Sequence, residues 1–329
     1  MNKTWMAAAG VFVALALSAV STAFAQQRVS IYTAHTANIV DRLIPEFEKA
    51  TGIKADVVKA GSGDIINRVR AEAANPKADV IWSIGAELLE ANNDLLEPYQ
   101  PKEYAMIADA FKTTSTWLPY TGIMNVFVVN TKKLKPEEYP RTWADLAQPR
   151  FKGLVSMADA EKSGSAYMQL NTFLAIYGDN PAGWNKFKEV FQNLNVSNSS
   201  GAVPRFVNDG EAVVGITLED NAYLYVKGGG PVAIVYPEDG TSVIADGMAL
   251  VKKAPNPAAG KAFIDWALSA ATQNLAVQEL GRRPIRKDGK PAGALKPLEQ
   301  VKIVKYDIKN AADKRKEYID RWQGLVQGK

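Results

Sequence analysis

An α/β protein of two lobes is the fold class this sequence predicts, each lobe a mainly parallel sheet flanked by helices. Three observations carry that prediction. The first hundred residues alternate strand and helix patterns as βαβαβα, a second alternating unit begins at Gly153, and two long extended apolar segments connect the units. The length, 329 residues with 47% hydrophobic side chains, suits about two domains with a core each.

Residues 28–33 read as the first strand. Residues 37–50 follow helical spacing through Ile39, Leu43, Ile44 and Phe47, and Thr51-Gly52 ends that helix because glycine tolerates a left-handed cap. A second strand over 54–58 runs into Ala60-Gly61-Ser62-Gly63-Asp64 and a helix over 65–74, which Asn75-Pro76 breaks. Residues 78–83 make a third strand and a helix follows around 87–92. The segment 117–130 contains an apolar run without helical period, so it reads as a strand leaving the first lobe. Pro136, Pro140 and Pro149 then punctuate a connecting stretch. In the second unit, 154–157 is a strand and 166–176 a helix. A further helix over 182–194 sets Trp184, Phe187, Val190 and Phe191 on one face. A short strand at 195–197, a helix over 202–208, and strands over 212–218 and 231–236 complete it. The return crossing, 241–251, leads to helices over 255–269, 271–280 and 311–325, the last with Tyr318, Ile319, Trp322 and Leu325 facing inward. Two crossings make the first lobe discontinuous: residues 26–130 and 243–329, with 131–242 as the second lobe.

The first residues have the form of a secretory leader. Met1-Asn2-Lys3 gives a positive start, residues 7–20 an apolar stretch, and Ala23-Phe24-Ala25 a cleavage site, so residues 1–25 are expected to be removed. No other run approaches the roughly 20 apolar residues of a spanning helix, and no membrane anchor is expected. With no cysteine in the chain, disulfides and lipid attachment at the cleavage site are both excluded. A periplasmic address follows. Loss of the leader takes the formal charge from +4 to +3, too mild and too evenly spread to imply nucleic acid.

The residues also exclude chemistry. A single histidine, His35, and no cysteine leave no ordinary zinc set, and no serine sits in a Gly-x-Ser-x-Gly elbow. No catalytic residue, cofactor or resident metal is expected. What recurs is a strand, a small hydroxyl-bearing turn and a helix. The turns begin at Thr33, Gly61, Ser83, Ser163 and Ser199, and they bring Thr33, His35, Gly61, Ser62, Ser83, Ser163, Ser165, Ser200 and Gly201 to helix starts. Each turn alone reads equally as helix capping. Five from both lobes describe a cleft able to surround an anion with neutral donors. Glu219-Asp220, at the end of the 212–218 strand, admits two readings: a ligand contact, or an N-cap at Asp220 for a helix from Asn221. Arg282-Arg283-Pro284-Ile285-Arg286 likewise reads as solvated surface or as charge lent to the cleft by Arg282.

With these features in hand the chain resembles the periplasmic substrate-binding proteins of ABC importers, in the group named around ferric iron binding. The resemblance spans the mature chain. It rests on Ser30-Ile31-Tyr32-Thr33 and Ile44-Pro45-Glu46-Phe47-Glu48-Lys49-Ala50-Thr51-Gly52-Ile53, on Ala78-Asp79-Val80-Ile81-Trp82 and Gly210-Glu211-Ala212-Val213, and on Asp246-Gly247-Met248-Ala249-Leu250-Val251 with Ala254-Pro255-Asn256-Pro257. It implies a type II binding-protein fold with a two-strand hinge that closes on its ligand, a monomer without enzymatic activity, and an importer permease and ATPase as partners. Iron-binding members carry neighbouring tyrosines in the segment matching residues 218–222, where this chain has Glu219, Asp220 and Asn221. That departure, and the serine turns, look more like the branch that binds hexose phosphates and phosphonates. The implied ligand is a small phosphorylated or phosphonate metabolite, with the two carboxylates facing its polar end. Ferric iron held by His35, Glu219 and Asp220 is the alternative.

Overall fold

The computed structural model describes residues 27–112, 116–293 and 295–328, so the expected leader lies outside the described residues. Its strands are β1 (Arg28–Thr33), β2 (Lys54–Lys59), β3 (Val80–Ile84), β4 (Leu96–Glu97), β5 (Leu118–Asn130), β6 (Val155–Ala158), β7 (Leu194–Ser197), β8 (Val214–Leu218), β9 (Val232–Val235) and β10 (Val243–Val251). They form one path in the order β2-β1-β3-β10-β5-β8-β6-β7, with β4 beside β10 and β9 beside β5. β1 runs parallel to β2 and β3, and β6 runs parallel to β7 and β8. This is the two-lobe α/β arrangement, with the parallel strands of each lobe at the outside and antiparallel β5 and β10 between them.

The long strand β5 makes the hinge visible in its pairing. Its first half, through Met124, pairs with β10, and from Asn125 onward it pairs with β8 and β9. All thirteen β5 residues are buried, which explains the apolar run without helical period. The helices are α1 (Ala37–Thr51), α2 (Ser62–Ala71), α3 (Ala86–Glu90), α4 (Gly164–Tyr177), α5 (Pro181–Asn193), α6 (Ala202–Asn208), α7 (Glu219–Lys227), α8 (Pro257–Leu268), α9 (Ala270–Leu280), α10 (Ile308–Asp313) and α11 (Arg315–Gln327). Gly52, at φ 72°, closes α1 in the left-handed conformation expected of it. One core gathers Val29, Ile31, Phe47, Trp82 and Phe263; another, on the far side of the hinge, gathers Phe127, Trp143, Met157, Phe173 and Phe187.

The last helix corrects the expected lobe boundary. Residues 243–329 do not all belong to the first lobe: Tyr318 and Trp322 are buried in the second core with Phe187 and Phe191. Tyr318 Oη donates to Asp179 Oδ2 at 2.6 Å, and Trp322 Nε1 donates to Asp159 Oδ1 at 2.9 Å. The chain reaches the second core through α10, which packs beside α3 of the first lobe while its Ala311 carbonyl accepts the Tyr167 hydroxyl of α4. The physical reason is burial. The aromatic face of α11 needs an apolar partner, and the Trp184–Phe191 face of α5 supplies it.

Candidate functional site

A cavity of about 560 Å³ lies between the lobes. Its walls come from the ends of parallel strands and the helix starts that follow them, where open α/β sheets hold ligands. From β1 to α1 come His35 and Thr36; from β2 to α2, Gly61 and Ser62; from β3 to α3, Ser83 and Gly85. Across the cleft, Ser163 and Ser165 begin α4, while Ser200 and Gly201 precede α6. The two lips touch. A Cβ built on Gly164 would lie 3.3 Å from Gly85 Cα, one on Gly201 would meet the Thr36 methyl at 2.7 Å, and one on Gly61 would run into the Lys162 carbonyl oxygen. The glycines therefore permit an approach that any side chain would obstruct.

Within this wall, several polar groups are shaped by local bonds. Ser163 caps α4 by accepting the Ala166 N–H at 3.2 Å. Ser83 adopts a left-handed backbone, φ 60°, uncommon for a residue with a side chain, and its Oγ donates to Asp246 Oδ2 at 2.6 Å. His35 stands edge-on to Trp82, with ring centroids 4.4 Å apart. Burial, and then the charge of Arg282, hold its imidazole well below the usual histidine range, so it is neutral at pH 7. Its Nε2 and the Thr36 hydroxyl are buried without a hydrogen-bond partner among the described residues.

Thr33, Glu219, Asp220 and Arg282 stand outside the cavity wall. Thr33 is fully buried and its Oγ1 accepts the His35 N–H at 3.1 Å, so it shapes the turn. The carboxylate pair sits one position beyond Leu218, the wall residue. Arg283 donates to Glu219 through Nε and Nη2 at 2.7 and 2.6 Å, and Tyr236 Oη adds a third bond at 2.7 Å. Arg282 donates from Nε to Thr121 Oγ1 at 2.7 Å, from Nη1 to Asp220 Oδ2 at 2.8 Å, and from Nη2 to Asp246 Oδ2. Both arginines are buried, which corrects the reading of this segment as solvated surface. Nor does Asp220 cap a helix from Asn221: α7 begins at Glu219, and both acids occupy its first turn. Burial alone would pull the Arg282 guanidinium down, but Asp220 and Asp246 reverse this and hold it above its ordinary value. Burial outweighs Arg283 at Glu219 and leaves that carboxyl raised.

Several wall residues went unread in the sequence: Thr36, Lys59, Glu87, Lys162, Asn198 and Asp246. For Asp246 a signal existed, an acid in the middle of an apolar strand, which is costly unless it has partners. Glu87 accepts from Tyr306 Oη, and burial raises its carboxyl above the usual range. Among the described residues, no three His, Asp or Glu side chains gather at metal-binding spacing, and His35 does not meet Glu219 and Asp220 in a common set.

The sequence profile of the bacterial extracellular solute-binding protein family matches residues 42–302, and the chain belongs to that family. A solved structure of the periplasmic binding protein AfuA from Actinobacillus pleuropneumoniae, with exogenous fructose-6-phosphate bound, superposes with a TM-score of 0.86. It is 26% identical and is matched over 92% of this chain and 99% of its own. Iron uptake protein A1 of Synechocystis is 26% identical over 79% of this chain and 76% of its own length. A Salmonella typhimurium periplasmic protein named for binding 2-aminoethylphosphonate is 25% identical over 85% of this chain and 86% of its own.

Proposed function

We propose that this member of the bacterial extracellular solute-binding family is the periplasmic component of an ABC importer and captures a small phosphorylated or phosphonate metabolite between its lobes. One observation carries the choice of ligand. Three helices of ten residues or more, α1, α2 and α4, begin at the cavity from opposite lobes, at Thr36, Gly61-Ser62 and Ser163-Gly164. Helix starts present free backbone N–H groups and a partial positive charge, the arrangement that suits an oxyanion. Ser62, Ser163, Ser165 and Ser200 add hydroxyls, Lys59 and Lys162 add charge, and neutral His35 offers a ring N–H. Closure over the anion brings donors from both lobes to it at once, which is how a ligand would favour the closed form. A fructose-6-phosphate-bound neighbour and a relative named for a phosphonate support the same chemistry.

In this reading the leader delivers the chain to the periplasm, the loaded protein acts as a monomer, and the importer's permease and ATPase are its partners. The test is mass spectrometry of small molecules released from the denatured, freshly purified protein, followed by calorimetry with organic phosphates and phosphonates. Release and rebinding of a phosphorus-containing metabolite is the expected result. Binding of ferric citrate, with no binding of any phosphate or phosphonate, would overturn the reading in favour of iron.

A further inference from the structure

Four carboxylates lie buried in or behind the cavity wall: Glu87, Glu219, Asp220 and Asp246. Their bonding separates them. Glu219 is engaged by Arg283 and Tyr236, and Asp220 bonds Arg282 while its other oxygen is sealed away from both solvent and cavity. Glu87 does line the cavity, but the Tyr306 hydroxyl and its own backbone N–H engage it. Asp246 differs from all three. Ser83 Oγ and Arg282 Nη2 both donate to the same oxygen, Oδ2; Oδ1 has no protein partner among the described residues and is not sealed from solvent, on a residue that lines the cavity.

We infer that Asp246 determines specificity, its free Oδ1 accepting a hydrogen bond from a hydroxyl or ammonium group on the organic end of the solute. This rests on the proposed capture of a phosphoryl or phosphonyl group at the helix starts, and it names what the other end of the solute must carry. Geometry supports it in two ways. The carboxylate is aimed by a two-point clamp, and one jaw of that clamp, Ser83, holds a backbone conformation that side chains rarely adopt. The arginine bonding agrees: Arg282 is shared between Asp220 and Asp246 and reaches only Oδ2 of Asp246, so a donor on the solute would supply the bond that Oδ1 lacks. An acceptor left bare in a closed cavity costs free energy, so a solute lacking the donor is disfavoured as well as unrewarded.

The experiment is calorimetry of wild type and Asp246→Asn against five probes: inorganic phosphate, fructose 6-phosphate, 2-aminoethylphosphonate, fructose and ethanolamine. The readout is each probe's affinity relative to inorganic phosphate on the same protein, because partial misfolding changes the fraction active and not that ratio. Asp246→Asn should weaken the favoured organic phosphate or phosphonate by about 10- to 100-fold while inorganic phosphate changes by less than about threefold. Preference for fructose 6-phosphate identifies a hydroxyl donor, and preference for 2-aminoethylphosphonate an ammonium. Equal weakening of organic and inorganic probes, or no weakening, overturns the inference and leaves phosphate capture standing. Should fructose or ethanolamine bind the wild type better than any phosphorus-containing probe and Asp246→Asn abolish it, phosphate capture falls and the role of Asp246 survives. A wild type that binds none of the five overturns both.

Discussion

The cavity wall and the arginine cluster behind it lie only a few residues apart and treat charge in opposite ways. The wall is mostly neutral: hydroxyls, backbone N–H groups at helix starts, and a histidine kept uncharged by burial. The cluster is buried and built of ion pairs. Arg282 and Arg283 tie Asp220 and Glu219 of α7 to Asp246 on β10 and to the segment after α9. The difference teaches that the most charged stretch of the molecule serves chiefly to join its parts, while the solute is left mainly hydroxyls and helix-start dipoles, with Asp246 shared between the two regions. A full buried charge is costly unless paired at all times, whereas a hydroxyl or N–H facing an open cleft exchanges the solute for water at little cost.

Removing the central cation should give the largest effect. Arg282→Ala strands Asp220 and Asp246 without compensation, and a loss of about 3–5 kcal/mol is expected in urea denaturation. A loss under about 1 kcal/mol would break the comparison, since the cluster would then not be what holds α7 to the hinge.

On the wall, Gly61→Ala should do the reverse. The added methyl meets the Lys162 carbonyl only when the lips touch, so an overpacking cost of about 1–3 kcal/mol falls on the closed form and weakens solute binding about 10- to 100-fold. The urea midpoint of the free protein should hardly move, because the open form escapes the clash. Ser163→Ala is intermediate in kind, since its hydroxyl both caps α4 and faces the cavity. It should cost about 1 kcal/mol of stability, read from thermal unfolding, together with weaker binding of organic phosphates.

The smallest effect is a pH dependence. The Glu87 carboxyl, raised above 4.5 by burial, is more easily kept protonated in the folded than in the unfolded chain. Its contribution is therefore fully present below 4.5 and is lost as pH rises through the raised value. Glu87→Gln removes that dependence. The stability of the variant relative to wild type should increase across this window, as measured by parallel urea titrations at successive pH values, and a constant difference would show that Glu87 is not perturbed.

Much of the architecture was legible because strand and helix periods are local. The α1 segment with its Gly52 stop, the unbroken apolar run of β5, and the hydroxyl turns at Gly61, Ser163 and Ser200 all emerge from spacing and residue type. The lobe assignment of α11 was not, because an aromatic face announces that it will be buried and not against what. The same limit applied to Glu219 and Asp220. Two acids ending a buried strand are conspicuous, but their partners lie more than sixty residues onward in Arg282 and Arg283.

By itself, then, the sequence determined the alternation of strands and helices, the two crossings through β5 and β10, the absence of thiol chemistry, and the helix starts rich in hydroxyls. These depend on composition and on neighbours a few residues away. Only the tertiary structure decided which carboxylates line the cavity. Glu87 and Asp246 do so, and Glu219 and Asp220 do not, because Arg282 and Arg283 draw that pair to themselves by reach and angle behind the wall. That choice is made between segments far apart in the chain, where sequence spacing carries no distance information.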